Sequence, residues 1–159
     1  MCFLRKTTGC WIASAAFALD RVTKWLVLSE LRGKAPADVL PGILRLVYVE
    51  NRGAAWGLFG GHTIPLGWLT AVIVIGLIVF LICKGSGLPT FARDALWLLA
   101  GGAAGNSADR LFFGYVVDFL EFRFFSFPVF NVADCCISVS AVLLTGFILF
   151  HGEARPNAR

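Results

Sequence analysis

The chain has 159 residues, a length that suits a single domain; 58% of them are hydrophobic and the mean hydropathy is +0.78. Soluble domains are about 45–50% apolar and about 25% charged, whereas this chain is only 15% charged, so its composition predicts an integral membrane protein. The net charge of +4 fits contact with anionic lipid headgroups, while the absence of a Lys/Arg run argues against nucleic-acid binding.

Four segments are predicted to cross the membrane, since a helix needs about 20 largely apolar residues to span a hydrocarbon core of about 30 Å. These spans lie at roughly residues 10–31, 64–83, 91–110 and 132–150. The first is interrupted by Asp20, Arg21 and Lys24. Its basic start and apolar run also resemble a cleaved signal peptide, but the apolar character resumes after Lys24, which favours an uncleaved span.

Residues 32–62, between the first two spans, are predicted to form a β-rich segment outside the membrane. Within it, Ile43–Glu50 partly alternates apolar and polar residues, which is typical of a strand. Tyr115–Phe125 is a second candidate strand for the same small sheet. The fold class predicted for residues 1–159 is therefore an all-α membrane protein: one domain with four transmembrane helices and a small extramembrane β-sheet.

The order of the spans brings polar residues from distant segments to one membrane face. With four spans, the ends of the first and third and the starts of the second and fourth lie on the same side. Asp20, Lys24, Asn51 and the polar groups at 106–110 and 131–134 fall at these places. A functional site is predicted there. Lys and Arg are equally numerous on both sides, so the positive-inside rule does not decide the orientation.

Asp20 and Lys24 are four residues apart, so they share a helix face and can neutralise each other. Because a lone ion in hydrocarbon costs several kcal/mol, a structural pair is favoured over a direct chemical role. Asn106, Asp109 and Arg110 have the same kind of spacing and are predicted to share a face at the end of the third span.

Small residues precede the second span, in the stretch 50–59. Gly53 there allows close approach of the backbone to another helix or to a ligand, and a simple helix-initiating turn is the alternative. Asn51, two residues earlier, can both donate and accept hydrogen bonds. We assign Gly53 a supporting role and Asn51 a place in the site.

Asn131 and Asp134 open the fourth span with the spacing of a capping box, in which each side chain bonds the other's backbone N–H. A helix N-terminus favours a charged carboxylate. The apolar run 135–150 that follows makes about 24 Å of helix, less than the hydrocarbon thickness of about 30 Å. Asp134 is therefore predicted to lie slightly below the membrane surface.

Asp118 stands between Val117 and Phe119 in a predicted strand, where an Asp is disfavoured and costly to bury. If Asp118 approaches Asp134, the two carboxylates share a proton and titrate as a pair, as in aspartic proteases. An ion pair of Asp118 with Arg110 or Arg123 is the alternative.

Together these motifs resemble the lipoprotein signal peptidase (signal peptidase II) family of bacterial intramembrane aspartyl peptidases. The matching stretches occur in the family's order and span nearly the whole chain: "DRVTK" (20–24), "NRGAAWG" (51–57), "GGAAGNSADR" (101–110), "VVDF" (116–119) and "FNVAD" (130–134). Two residues depart from the family's frequent choices: Arg21 replaces Gln and Trp56 replaces Phe. The connection from Asp118 to Asp134 is also short.

The resemblance implies an activity, a location and a role for each residue. The catalytic pair would be Asp118 and Asp134, the substrate pocket Asn51, Asn106, Arg110 and Asn131, and the structural support Asp20, Lys24 and Asp109. The family removes the signal peptide from prolipoproteins, just before a cysteine that carries diacylglycerol, and uses no metal or other cofactor. It works in the bacterial cytoplasmic membrane with its termini inside and its site at the outer face, and cyclic peptides such as globomycin inhibit it.

A non-enzymatic membrane protein, either a small transporter or a lipid-binding scaffold, is the competing hypothesis. Intramembrane acids and arginines also mark ion pathways. A pathway should distribute polar residues along the depth of the membrane, whereas here they gather at one end and the second span has no charged residue. The peptidase is therefore the favoured prediction.

Overall fold

The structure, a computed structural model, describes residues 2–53 and 62–151. Within these ranges the chain forms four helices, α1 (Cys2–Glu30), α2 (Thr63–Lys84), α3 (Thr90–Phe113) and α4 (Val132–His151), and three strands, β1 (Ala37–Leu40), β2 (Leu44–Asn51) and β3 (Val116–Phe122). A short 3₁₀ turn, Gly85–Gly87, joins α2 to α3. Each predicted span coincides with a helix, although α1 begins at Cys2 rather than near residue 10.

Two stretches of the described chain, 63–87 and 132–150, are long and apolar enough to cross a membrane. Only 17% and 11% of the residues in their most apolar parts are buried inside the protein, so their apolar side chains face outward. Such outward faces are stable in lipid, which needs no hydrogen bonds from them. Helices α1 and α3 instead carry the buried charges; with 29 and 24 residues they are about 43 and 36 Å long.

Helix α3 lies at the centre of the fold and packs against α1, α2 and α4. Small residues make this close packing possible. At Gly105, a Cβ atom would lie 2.4 Å from Oδ2 of Asp20 on α1, so only glycine fits there without a displacement. The small side chains of the stretch 101–110 therefore bring α3 directly against the charged part of α1.

The three strands form an antiparallel sheet in the order β1-β2-β3. β2 corresponds to the predicted strand Ile43–Glu50, and β3 lies within the second candidate, Tyr115–Phe125. Val49 pairs with Asp118, and Asn51 pairs with Val116. β1 was not predicted, because all four of its residues are exposed and show no alternation of burial.

The sheet packs on the end of α1 through a small apolar core. Its buried members are Val27 of α1 and Val117 and Phe119 of β3. The turn from α3 into β3 is made at Gly114, whose φ of 75° lies in the left-handed region that glycine tolerates, and its N–H bonds to the carbonyl oxygen of Arg110 at 3.2 Å. This tight turn places the start of β3 directly beside the end of α3.

We predict that Gly105→Ala lowers the free energy of unfolding by about 1–3 kcal/mol, as expected for overpacking. The carboxylate of Asp20 cannot move away, because Arg21, Lys24 and the backbone N–H of Ala133 all bond to it. Thermal unfolding in detergent micelles measures the effect.

Gly76→Ala in α2 is the matched control, because a Cβ atom there meets nothing within 4 Å. Equal melting temperatures for the two variants would show that α1 and α3 do not approach each other this closely.

Candidate active site

Asp118 and Asp134 line the same cleft, which has a volume of about 900 Å³. Asp118 belongs to β3 and is 2% exposed, and Asp134 lies in the first turn of α4. The structure thus brings together the two aspartates predicted to form the catalytic pair. The cleft is also lined by the predicted pocket residues Asn51, Asn106 and Arg110.

Side-chain amides hold both carboxyl groups. Asn51 and Asn131 donate from Nδ2 to the two oxygens of Asp118, at 2.8 and 2.7 Å. Asn106 donates from Nδ2 to Oδ1 of Asp134 at 2.8 Å, and the backbone N–H of Asn131 donates to Oδ2 at 3.1 Å. Asn131 is fully buried and contacts both aspartates, so it fixes each relative to the other.

The predicted capping box at the start of α4 is present. The backbone N–H of Asp134 donates to Oδ1 of Asn131 at 2.9 Å, and the backbone N–H of Asn131 donates back to the Asp134 carboxylate. The cap satisfies two backbone donors that an open helix end would leave without partners. The same contacts orient Asp134 toward the cleft, so the residues that cap α4 also set the geometry of the site.

Burial raises the pKa of Asp118 to about 6, because an apolar surrounding disfavours the charged carboxylate. The nearby Asp134 acts in the same direction, while the amides of Asn51 and Asn131 and the ammonium of Lys24 oppose the rise. Among the described residues, no ion pair joins Asp118 to Arg110 or Arg123. The alternative prediction of such a pair is therefore wrong.

Behind the aspartates lies a buried ion network of four residues, Asp20, Arg21, Lys24 and Asp109. The Lys24 ammonium lies 3.0 Å from Asp20 and 2.8 Å from Asp109, and all three side chains are at most 2% exposed. The predicted pair of Asp20 and Lys24 is thus confirmed. Asp109 belongs to the same network, in agreement with its predicted supporting role.

Arg21 was not predicted to take part, yet its guanidinium bonds both carboxylates of the network, at 2.9 Å to Asp20 and 2.6 Å to Asp109. In the sequence, the indication of this role was that Arg21 is a third charged residue beside Asp20 and Lys24. Its two partners, however, include a residue 88 positions away, which spacing within one helix cannot indicate.

The ion network holds the backbone next to each aspartate of the pair. Asp20 accepts a hydrogen bond from the N–H of Ala133 at 3.1 Å, directly before Asp134. Asp109 accepts one from the N–H of Val117 at 3.3 Å, directly before Asp118. The network therefore positions both elements that carry the pair.

Lys24 also sets the orientation of an amide in the site. Its ammonium donates to Oδ1 of Asn106 at 2.8 Å. Because an ammonium has no acceptor, Oδ1 must face Lys24, and the Nδ2 donor of Asn106 must then face Asp134. The Nδ2 group of Asn131 donates to the same Oδ1 at 3.1 Å, which reinforces this orientation.

Arg110 faces the cleft rather than the ion network, so the prediction that it shares one face with Asp109 is wrong. The two side chains point in different directions because adjacent helical residues are about 100° apart. Among residues 2–53 and 62–151, Arg110 makes only long contacts, at 3.4 Å, to the carbonyl oxygens of Asn106 and Gly53. Its buried Nε has no hydrogen-bond acceptor among the described residues, which leaves donors free for a ligand.

Gly53 and Asn51 form one edge of the cleft. The backbone N–H of Gly53 donates to Oδ1 of Asn51 at 3.0 Å, which directs the Nδ2 group of Asn51 to Asp118. Gly53 is buried, and it supports Asn51 through this backbone hydrogen bond. The other residues of the small-residue stretch that follow Gly53, 54–59, lie outside the described residues.

Aromatic rings form the opposite edge. Phe122, Phe127 and Phe130 line the cleft, and their ring centroids lie 5.1–6.0 Å apart. Phe130 also bridges to Leu120 of β3, which ties the connection between Asp118 and α4 to the sheet. These rings give the site an apolar wall.

Two helices with outward apolar faces, beside a largely apolar cleft that contains two carboxyl groups, are the features expected of a membrane protein with a functional site. A solved bacterial membrane enzyme, determined by the in meso method at 2.3 Å resolution, has this fold, with a TM-score of 0.82 and 30% sequence identity over 96% of this chain and 93% of that one. The family model for signal peptidase (SPase) II matches residues 12–150. The chain belongs to the signal peptidase II family, as its motifs predicted.

The similarity of this chain to lipoprotein signal peptidases from two different bacteria supports this assignment. The lipoprotein signal peptidase of Thermosynechococcus vestitus is 42% identical over 137 residues, which cover 84% of this chain and 86% of the relative. That of Clostridium acetobutylicum is 35% identical over 149 residues, covering 92% and 96%. The similarity therefore extends over nearly the full length of both chains.

We predict that Asp118→Asn stabilises the protein more at pH 8 than at pH 4. Because the pKa of Asp118 is raised by folding, its contribution to stability is lost as the pH rises from about 4 to about 6, and the loss is at most about 3 kcal/mol. At pH 8 the substitution removes a buried charge, whereas at pH 4 the wild-type carboxyl is already protonated. Melting temperatures at the two pH values measure the difference.

Asp38→Asn, at an exposed position of β1, is the control, and its effect on the melting temperature should be small at both pH values because solvent screens an exposed charge. A gain for Asp118→Asn that does not depend on pH would contradict the raised pKa.

Proposed function

We propose that this protein is a membrane aspartyl endopeptidase that removes the signal peptide from prolipoproteins. The observation that carries the proposal is the pair of the buried Asp118 and the half-buried Asp134, bridged by Asn131 in a cleft between the sheet and the helices. Membership of the signal peptidase II family supplies the substrate class. We further propose that cleavage occurs just before a cysteine that carries diacylglycerol.

In the proposed reaction the aspartate pair holds one proton. The ionised carboxylate takes a proton from water, whose oxygen attacks the peptide carbonyl, while the protonated carboxyl donates its proton to the carbonyl oxygen. The tetrahedral intermediate then collapses as a proton passes to the leaving nitrogen, so the C–N bond breaks and the pair again holds one proton. Because the groups are coupled, the acid and base roles belong to the pair.

The amides around the pair prepare it for this reaction. Asn51, Asn106 and Asn131 are neutral donors, so they orient the carboxyl oxygens without adding a charge that would hold both aspartates ionised. The raised pKa of Asp118 agrees with a pair that keeps one proton near neutral pH. The raised pKa moves the range in which Asp118 holds a proton toward neutral pH, as the proposed activation of the carbonyl requires.

Arg110 is proposed to bind the substrate backbone. It lines the cleft with donors that are only weakly used by the carbonyl oxygens of Asn106 and Gly53. A substrate carbonyl can replace these long contacts with shorter, charge-assisted ones. Such a contact would hold the scissile peptide bond beside Asp118 and Asp134.

The lipid of the substrate is proposed to lie along the apolar side of the cleft. Phe127, Ile137 and Val139 line this side, and Val139 is itself 49% exposed on α4. Acyl chains in the membrane can therefore remain in lipid while the attached cysteine reaches the aspartates. This placement reduces the entropy cost of bringing the scissile bond to the pair.

We propose that all four helices span the bacterial inner membrane, with the termini in the cytoplasm and the cleft at the outer face. The charges within the apolar part of α1, Asp20, Arg21 and Lys24, belong to a paired network, which removes the main cost of placing this part of the helix in lipid. The gathering of these charges at one end disfavours an ion pathway, as does α2, which has no charged residue before Lys84.

Asp118→Asn and Asp134→Asn are each expected to abolish cleavage of a diacylglyceryl-modified precursor, with a loss of at least about 10³-fold in kcat, because neither amide can take part in the proton transfers. Purified variants in detergent or liposomes are assayed by the mobility shift of the precursor. Globomycin should inhibit the wild-type enzyme.

Full cleavage by either variant, in a folded form at least as stable as the wild type, would refute the aspartyl mechanism. Proton flux in liposomes without precursor cleavage would instead support a transporter.

Arg110→Lys should raise KM about tenfold, since a lysine keeps the charge but loses the planar fork and with it about 1.5 kcal/mol of hydrogen bonding. Stability should change little, because the contacts of Arg110 with the protein are long. Steady-state kinetics on the modified precursor distinguish KM from kcat. An unchanged KM would remove Arg110 from substrate binding.

A further inference from the structure

We propose that Arg21 is a positioning residue for this peptidase and balances the charge of the ion network that supports Asp118 and Asp134. The inference rests on the proposed function, because it concerns the same aspartate pair. Arg21 itself lies outside the cleft and would act through Asp20 and Asp109.

The guanidinium of Arg21 joins two helices. One nitrogen donates to Asp109 of α3 at 2.6 Å, and the other donates to Asp20 of α1 at 2.9 Å and to the carbonyl oxygen of Gly105 at 3.3 Å. The Arg21 side chain is 27% exposed, whereas the two carboxylates are at most 1% exposed. Arg21 thus closes the network on its outer side.

Arg21 completes the charge balance of the network in this chain. Without it, the carboxylates of Asp20 and Asp109 would share the single ammonium of Lys24, and a net negative charge would lie buried between apolar helices. Burying an unbalanced charge is costly. With Arg21 present, two cations match two anions.

This balance leaves one N–H of Lys24 for Asn106. The ammonium has three donors, and its three close partners are Asp20, Asp109 and Oδ1 of Asn106. If Arg21 is removed, both carboxylates depend on Lys24 alone, which weakens its bond to Asn106. The Nδ2 donor of Asn106 then loses its fixed direction toward Asp134.

Arg21 also supports the backbone next to each aspartate of the pair, through its two carboxylate partners. Its partner Asp20 holds the N–H of Ala133, and its partner Asp109 holds the N–H of Val117. The charged groups around the pair are Lys24 of α1 and, on the wall of the cleft, Glu50, Arg52 and Arg110; behind them lie Asp20, Arg21 and Asp109 of the ion network. Loss of one cation from this set makes the single negative charge of the pair less favourable.

The test is the pH dependence of kcat/KM for Arg21→Gln on the diacylglyceryl-modified precursor. Both limbs of the bell-shaped profile should move to higher pH, by on the order of one pH unit, because removal of a nearby positive charge disfavours each ionisation of the pair. A purely structural role would lower the rate without moving the limbs.

Two variants serve as controls. Arg21→Lys keeps the charge but cannot contact both carboxylates as a fork, so kcat should fall while the limbs stay in place. Lys34→Gln removes one positive charge at a side chain that is 60% exposed and pairs with Glu30 at 3.4 Å, so its profile should match the wild type.

Unmoved limbs in Arg21→Gln would overturn the inference, as would an equal shift in Lys34→Gln. Should Arg21→Gln fail to fold, Arg21→Met removes the same charge and carries the same expectation. Asp118→Asn and Asp134→Asn are assayed in parallel: cleavage by either contradicts the proposed function, whereas their inactivity together with an unmoved Arg21→Gln profile contradicts only the role of Arg21.

Discussion

The ion pairs of Lys24 with Asp20 and Asp109 hold together the end of the molecule where the cleft lies. An ammonium and two carboxylates, all nearly inaccessible to solvent, would each be unstable alone among apolar helices. Together with Arg21 they form a neutral unit that joins α1 to α3. Because the same carboxylates bond the backbone before Asp118 and before Asp134, the positions of β3 and α4 follow from this unit.

Between the ions and the aspartate pair lies a layer of neutral amides. Asn106 accepts from Lys24 and donates to Asp134, so it transmits an orientation but no net charge. Asn131 connects this layer to Asp118. The proposed mechanism needs a pair that keeps one proton, and a neutral layer suits it, since a direct cation contact would favour full ionisation. The burial of Asp118 has the opposite effect and raises its pKa to about 6.

Local spacing predicted the features that depend on neighbours in the chain. The pair of Asp20 and Lys24 follows from a separation of four residues, and the capping box of Asn131 and Asp134 follows from a separation of three. The strand β2 follows from alternation. In each case one element contains both partners, so the geometry of a helix or strand is sufficient.

The remaining features depend on contacts between elements. The bond from Arg21 to Asp109 joins α1 to α3, and the direction of Arg110 depends on what α3 packs against. β1 is exposed along its whole length and is formed by pairing with β2 rather than by burial, so its residues carry no pattern. Motif order could place Asp118 near Asp134, but the amides that hold them are fixed only in three dimensions.

The division of the ion network between two helices has a consequence for biosynthesis. Asp20 and Lys24 pair within α1, so the first helix can enter the bilayer with these two charges already neutralised, before α3 is made. Asp109 reaches the network with α3, and Asp134 is made only with α4, the last of the described helices. A partly synthesised chain therefore lacks the complete aspartate pair until α4 has been made.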